Sequence, residues 1–128
     1  GMDVEPNTIY IAQGGYHLVL KGGKIFLDNS EPVNNHKPSV DVLFRSVSRE
    51  MGDKALAIIL TGMGSDGAQG IVAIKDAGGY TIAQDEESSV IFGMPGSAIR
   101  TGKVDRIIPL GKIADFINEF IPSLRNKK

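Results

Sequence analysis

The sequence contains no cysteine. That excludes disulfides, thiol catalysis, iron–sulfur clusters and cysteine zinc sites, and it fits a cytosolic protein. Histidine is almost as scarce. His17 and His36 are the only two, too few for a histidine-rich metal site. Charge of one sign is also missing: 14 basic against 15 acidic side chains leave a net −1. No basic footprint therefore argues for nucleic acid or an anionic membrane as partner. No apolar run approaches the roughly 18 residues of a membrane span, so no membrane insertion is expected. The N-terminus, GMDVEPNTIY, lacks the basic region and apolar core of a signal peptide. Gly1 is not a translation start and reads as a remnant of tag removal.

What is present is ordinary globular composition. The 128 residues are 41% hydrophobic and 23% charged, which fits one domain over residues 1–128. The 16 glycines punctuate it. Tyr16–Leu20 and Ile25–Leu27 flank Gly22-Gly23, and two β-type runs around Gly-Gly read as a hairpin. Asp28–Pro38 is a polar loop. Val40, Leu43, Phe44 and Val47 then sit at helical spacing, with Ser39 or Asp41 as cap and Gly52 as stop. Ala55–Leu60 is an unbroken apolar run, as in a parallel strand buried on both faces. A helix over 68–77, a strand at Tyr80–Gln84, a short helix from Pro95, a strand at Val104–Leu110 and a closing helix through Ile113, Phe116, Ile117 and Phe120 follow. The tail Arg125–Lys128 is expected to fray. The alternation predicts an α/β fold, a doubly wound, mostly parallel sheet entered through an N-terminal β-hairpin. It has the look of the back half of a larger domain, which would leave one strand with an exposed apolar edge.

The turn after Leu60 is the first place to look for function, because ligands collect at the C-terminal ends of parallel strands. It supports three readings. Gly62-Met63-Gly64-Ser65-Asp66-Gly67 satisfies G-x-G-x-x-G, and Asp85 follows roughly 20 residues on, as in a dinucleotide site. Against this, Asp66 would repel a diphosphate, and the strand does not open the chain. Alternatively, Asp66 is an N-cap for the helix it precedes. The third reading makes Asp66 a catalytic acid beside turn amides that form an oxyanion site. That needs a nucleophile and a histidine. There is no G-x-S-x-G elbow. His17 reads as a packed or hydrogen-bonded strand residue, and His36 as solvated.

Several stretches carry a resemblance. They are Ile58–Gly70 (IILTGMGSDGAQG), Ala77–Glu86 (AGGYTIAQDE), Gly93-Met94-Pro95, Ile9–Ala12 with Gly14–Leu18, and Pro38–Phe44 (PSVDVLF). Together, and in the family's order along residues 3–121, they resemble the catalytic domain of the chemotaxis protein-glutamate methylesterases (CheB). The resemblance displaces the dinucleotide reading. It implies a doubly wound fold and serine-hydrolase demethylation of receptor glutamyl methyl esters, releasing methanol, with methylated chemoreceptor helices as partner. It implies no cofactor and no metal. Asp66 matches the triad aspartate. Met63 is similar to the position whose backbone amide holds the oxyanion, Gly62 and Gly64 keep that backbone reachable, and Met94 and Pro95 line the cleft.

The departures weigh as much. The family's nucleophilic serine lies in a Ser-Thr-Gly-Gly turn and its catalytic histidine in a Gln-His pair. Neither motif occurs here. The chain is thus expected to be an N-terminally truncated domain, inactive alone, that covers its uncovered surface as a homo-oligomer. A non-catalytic remnant that binds a receptor or signalling partner is the alternative, and a dinucleotide- or phosphate-binding protein a remote one.

Overall fold

The structure is a computed structural model and describes residues 1–125. The tail expected to fray lies, beyond Arg125, outside the described residues.

Two sheets form. The first is antiparallel, with strands β1 (Met2–Asp3), β2 (His17–Lys21) and β3 (Lys24–Asp28) in the order β1-β3-β2. Lys21 pairs with Lys24, so Gly22 and Gly23 alone make the hairpin turn, at φ 61° and 74°. Both central residues are left-handed, as a twisted two-residue hairpin requires. Ile9–Ala12 joins no strand, and Ile9 and Ile11 are almost fully exposed.

The second sheet is parallel, β4 (Leu56–Ile59), β5 (Tyr80–Gln84) and β6 (Arg106–Ile108), in the order β4-β5-β6. Its helices are α1 (Val40–Met51), α2 (Ala68–Asp76), α3 (Gly93–Arg100) and α4 (Leu110–Arg125). Side chains alternate across the sheet with the period of a strand. On one face Ala57 and Ile59 pack with Ile71, Ile74 and Ala98 of α2 and α3, and with Phe44 and Val47 of α1. On the other, Ile82 and Ile108 pack with Ile113, Phe116 and Ile117 of α4. Ile71, Ile74 and Ile82 are essentially inaccessible. Each such side chain contributes about 2 kcal/mol by leaving water. The predicted α/β, doubly wound architecture with its entering hairpin is therefore present.

Two sequence expectations need correction. The strand buried on both faces is β5, not Ala55–Leu60. In β4 only every second residue is buried, because β4 pairs with β5 alone and is an edge. An apolar run does not reveal whether a strand is central. Second, the buried residues of α1 are Asp41, Ser46 and Ser48, while its apolar stripe is only half-buried. The reason is that α1 is covered on two sides. Its apolar stripe meets α2, and Ser46 Oγ accepts the Leu20 N–H of the hairpin at 3.0 Å.

Candidate active site

The site is built at the C-terminal end of β4. Gln84, fully buried at the last position of β5, accepts the Thr61 N–H through Oε1 at 2.8 Å. Its Nε2 donates to the Ser88 carbonyl, also at 2.8 Å. Thr61 Oγ1 is tied to Ile91 in both directions, accepting its N–H and donating to its carbonyl. The loop leaving β4 is thus fixed to the end of β5 and to the loop that follows it before its glycines begin.

Gly62 then lies against the Gly93-Met94-Pro95 turn. Its N–H donates to the Ile91 carbonyl, and its carbonyl accepts the Met94 N–H at 2.9 Å. A Cβ on Gly62 would stand 2.6 Å from Met94 Sδ. Met94 therefore lies beside the loop, whereas Pro95 is buried behind it. Gly64 and Gly67 take φ of 90° and 98°, which L side chains rarely adopt. Among the described residues, no backbone acceptor is hydrogen-bonded by the amides of Met63, Gly64, Ser65, Asp66 or Gly67. Met63, Gly64 and Ser65 are exposed residues, whereas Asp66 and Gly67 are buried. Free N–H groups of this kind are what a developing oxyanion needs.

Asp66 points the other way, into the protein, and is 2% exposed. It does not cap the helix it precedes. The N-cap position of α2 is Gly67, with no side-chain cap. Instead Asp66 caps α1 through space: Oδ2 accepts the Val40 N–H at 2.6 Å, and Oδ1 accepts the Ser39 hydroxyl at 2.8 Å and, more loosely, the Asp41 N–H. Ser39 makes no cap bond of its own. Asp41 in turn accepts the Gly70 N–H, in the first turn of α2, at 2.7 Å. Each helix is capped by a carboxylate from the other. The local patterns were visible, but the exchange of partners needs the two helices side by side. Asn34 joins the pair, donating to Asp41 Oδ2 at 2.7 Å and to Asp66 Oδ1 at 3.0 Å.

These bonds set the charge state of Asp66. Burial works against its ionised form, but the bonds from Asn34, Val40, Ser39 and Asp41 together outweigh burial and hold its carboxyl below the usual carboxylate range. Oδ1 takes three donors and Oδ2 only one. Oδ2 retains acceptor capacity for one more N–H. No cation is salt-bridged to Asp66 among the described residues.

Neither histidine fills that place. His17 is fully buried, as a structural residue. Its Nδ1 accepts the Ser39 N–H at 3.1 Å, which puts the proton on Nε2, facing the Glu31 carbonyl at 2.9 Å. His36 is exposed, with Nε2 near Gly64 but not bonded to Asp66. Asp85, the ribose ligand of the dinucleotide reading, accepts the Ser88 N–H instead. Sequence reasoning missed Asn34, Thr61 and Gln84. A polar residue closing an apolar strand was the available signal for Gln84. Nothing local marked Asn34.

Comparison with known proteins points to one family. The sequence profile described as CheB methylesterase matches residues 1–117. A protein-glutamate methylesterase/protein-glutamine glutaminase of Xanthomonas campestris pv. campestris is 54% identical over 115 residues, covering 87% of this chain and 33% of that protein. One from Borreliella burgdorferi is 49% identical over 118 residues, covering 89% and 31%. The chain thus spans about a third of the length of these curated relatives. The crystal structure of the Thermotoga maritima CheB methylesterase catalytic domain superposes with a TM-score of 0.89 at 40% identity, over 94% of this chain and 66% of that one.

Proposed function

We propose that this chain, which belongs to the CheB methylesterase family, carries the acid and oxyanion half of a protein-glutamate methylesterase site within a single domain. The observation that supports the reading best is Asp66 itself: a buried carboxylate held by four donors, three on Oδ1 and one on Oδ2, next to exposed Met63, Gly64 and Ser65, whose amides bond no backbone acceptor.

In this reading a histidine from the segment preceding this part of the family's domain donates to Asp66 Oδ2. The carboxylate fixes its tautomer and stabilises the imidazolium that forms as a serine attacks the ester carbonyl. The Met63 amide donates to the resulting oxyanion, and Gly62 and Gly64 leave it unobstructed. Collapse releases methanol and an acyl-serine that water hydrolyses. The glutaminase activity in the relatives' names needs the same acyl chemistry with ammonia leaving. The partner is a methylated chemoreceptor helix, and the setting is cytoplasmic. No helix among the described residues is long and apolar enough to cross a membrane.

With neither the serine nor the histidine motif present, the chain alone turns over no receptor ester. The test is a chimaera in which this chain replaces the matching part of the Thermotoga maritima catalytic domain. Methanol release from a methylated receptor peptide is expected from the chimaera and not from the chain. Asp66→Asn in the chimaera should lower kcat on the order of a thousandfold or more. Turnover by the chain alone, or an active Asp66→Asn chimaera, contradicts the reading.

A second reading, a self-associating remnant that binds without chemistry, is favoured by one observation. The β4 edge has no strand partner, and Ile9 and Ile11 are 89% and 88% exposed. Light scattering on the isolated chain distinguishes it: a clean monomer at high concentration counts against self-association.

A further inference from the structure

Asp41 and Asp66 are both 2% exposed, and both accept from the same nitrogen, Asn34 Nδ2. Their acceptor oxygens are therefore within two hydrogen-bond lengths of each other. Two buried carboxyl groups so placed both need donors, and a donor shared between them serves both. A single amide nitrogen carries two protons, and here each goes to a different side chain. Asn34 can do this because of its backbone. Asn34 and Asn35 have φ of 55° and 63°, the left-handed pair of a tight two-residue turn. Val33 and His36 close that turn with reciprocal backbone bonds of 3.0 and 2.9 Å. Asparagine is among the few residues with a Cβ that tolerate this region. Asn34, Asn35 and His36 are exposed and Val33 half-buried, and of the four the side chain of Asn34 reaches the buried carboxylates.

We propose that Asn34 is a positioning residue for the acid: its amide, presented by the Val33–His36 turn, locks the orientation of Asp66 and keeps Oδ2 directed at the incoming histidine. Asn34 touches no reacting atom. It acts through Asp66, and as a step in catalysis the proposal rests on the reading of Asp66 given above. The ionisable groups that face the cluster are Asp41 from α1 and Asp66 from the loop before α2, with His36 on the turn itself near Gly64.

The test uses the isolated chain and NMR. In the unaltered protein the two Asn34 side-chain amide protons should resonate apart, exchange slowly with water, and shift with the titration of Asp66. Asn34→Gly keeps the left-handed turn and removes the amide. It should raise the Asp66 carboxyl titration midpoint by about half a unit or more, while Asn35→Gly on the same turn leaves it unmoved. Amide protons that exchange freely and ignore Asp66 overturn the proposal without any variant. So does an unchanged midpoint in a folded Asn34→Gly. In the chimaera, Asn34→Gly should lower kcat per folded enzyme, with the folded fraction measured by circular dichroism on the same sample, roughly tenfold or more with KM little changed. If Asp66→Asn leaves the chimaera active while the NMR results hold, it is the catalytic reading of Asp66 that fails and not the positioning by Asn34.

Discussion

At the C-terminal end of the parallel sheet Asp66 is buried among neutral donors. At the N-terminal end Asp105 is half-buried against a cation, with Lys75 Nζ at 2.7 Å and the Thr81 N–H at 2.9 Å. Burial opposes the charge in both, and both carboxyls are nonetheless held below the usual range, Asp66 by hydrogen bonds alone and Asp105 chiefly by Lys75 with help from Thr81. The difference lies in what remains. The charge of Asp105 is neutralised where it stands, so it fastens β5 to β6 and has nothing left to offer. The charge of Asp66 is solvated but not neutralised. It can still attract a cation such as a forming imidazolium. The same residue type, ionised by two routes, is structural at one end and chemically available at the other.

Substitutions can break this comparison. The largest effect is expected for Asp66→Ala, which strands the Val40 N–H, the Ser39 hydroxyl and the Asn34 amide around a small cavity. A cost of about 3–4 kcal/mol in a urea melt is expected, against about 2 for Asp105→Ala, which leaves the buried Thr81 N–H unpaired but returns the partly exposed Lys75 to water. Equal costs would erase the distinction. Next come two glycines with left-handed backbones. An alanine Cβ at Gly67 would stand 2.6 Å from Ile59 Cδ1 and 3.2 Å from Val40 Cγ1, whereas Gly102, at φ 75°, faces open space. Gly67→Ala should cost about 3 kcal/mol and Gly102→Ala about 1.

The pH dependence is smaller. Both folded carboxyls titrate below their unfolded value of about 3.9. The stability they contribute is therefore complete above that value and is lost as pH falls through the folded midpoints. Asp66→Asn and Asp105→Asn should each flatten the acid limb of a stability–pH curve. A variant that leaves the slope untouched shows that its carboxylate is not held down in the native state. The smallest effect sharpens the contrast most. Raising salt at neutral pH should weaken the contribution of Asp105 by a few tenths of a kcal/mol, because Lys75 is partly exposed, and leave that of Asp66 unaltered. A double-mutant cycle of Asp105 and Lys75 in low and high salt reads it directly.

Element boundaries were legible because their causes are local. Tyr80–Gln84 matches β5 residue for residue and Gly52 caps the end of α1, whereas the strand expected over Val104–Leu110 is only Arg106–Ile108, with Leu110 opening α4. The position of β5 at the sheet centre was not legible, since burial on two faces depends on which strands flank it. Asp66 was identified as the key residue, but its cap was assigned to α2, the helix next to it in sequence. The loop conformation turns it instead toward α1. Ser39 and Asp41 were read as caps for their own helix, whereas one bonds Asp66 and the other caps α2.

By itself the sequence determined the α/β alternation, the hairpin and the glycine loop bearing Asp66, because periodicity and backbone preference act over a few residues. Its motifs also carried the family likeness. Only the tertiary structure decided which donors hold Asp66 and that Asn34 bridges it to Asp41. Those are contacts between segments about 25 to 32 residues apart, and no local rule assigns a buried carboxylate its partners until packing has brought them together.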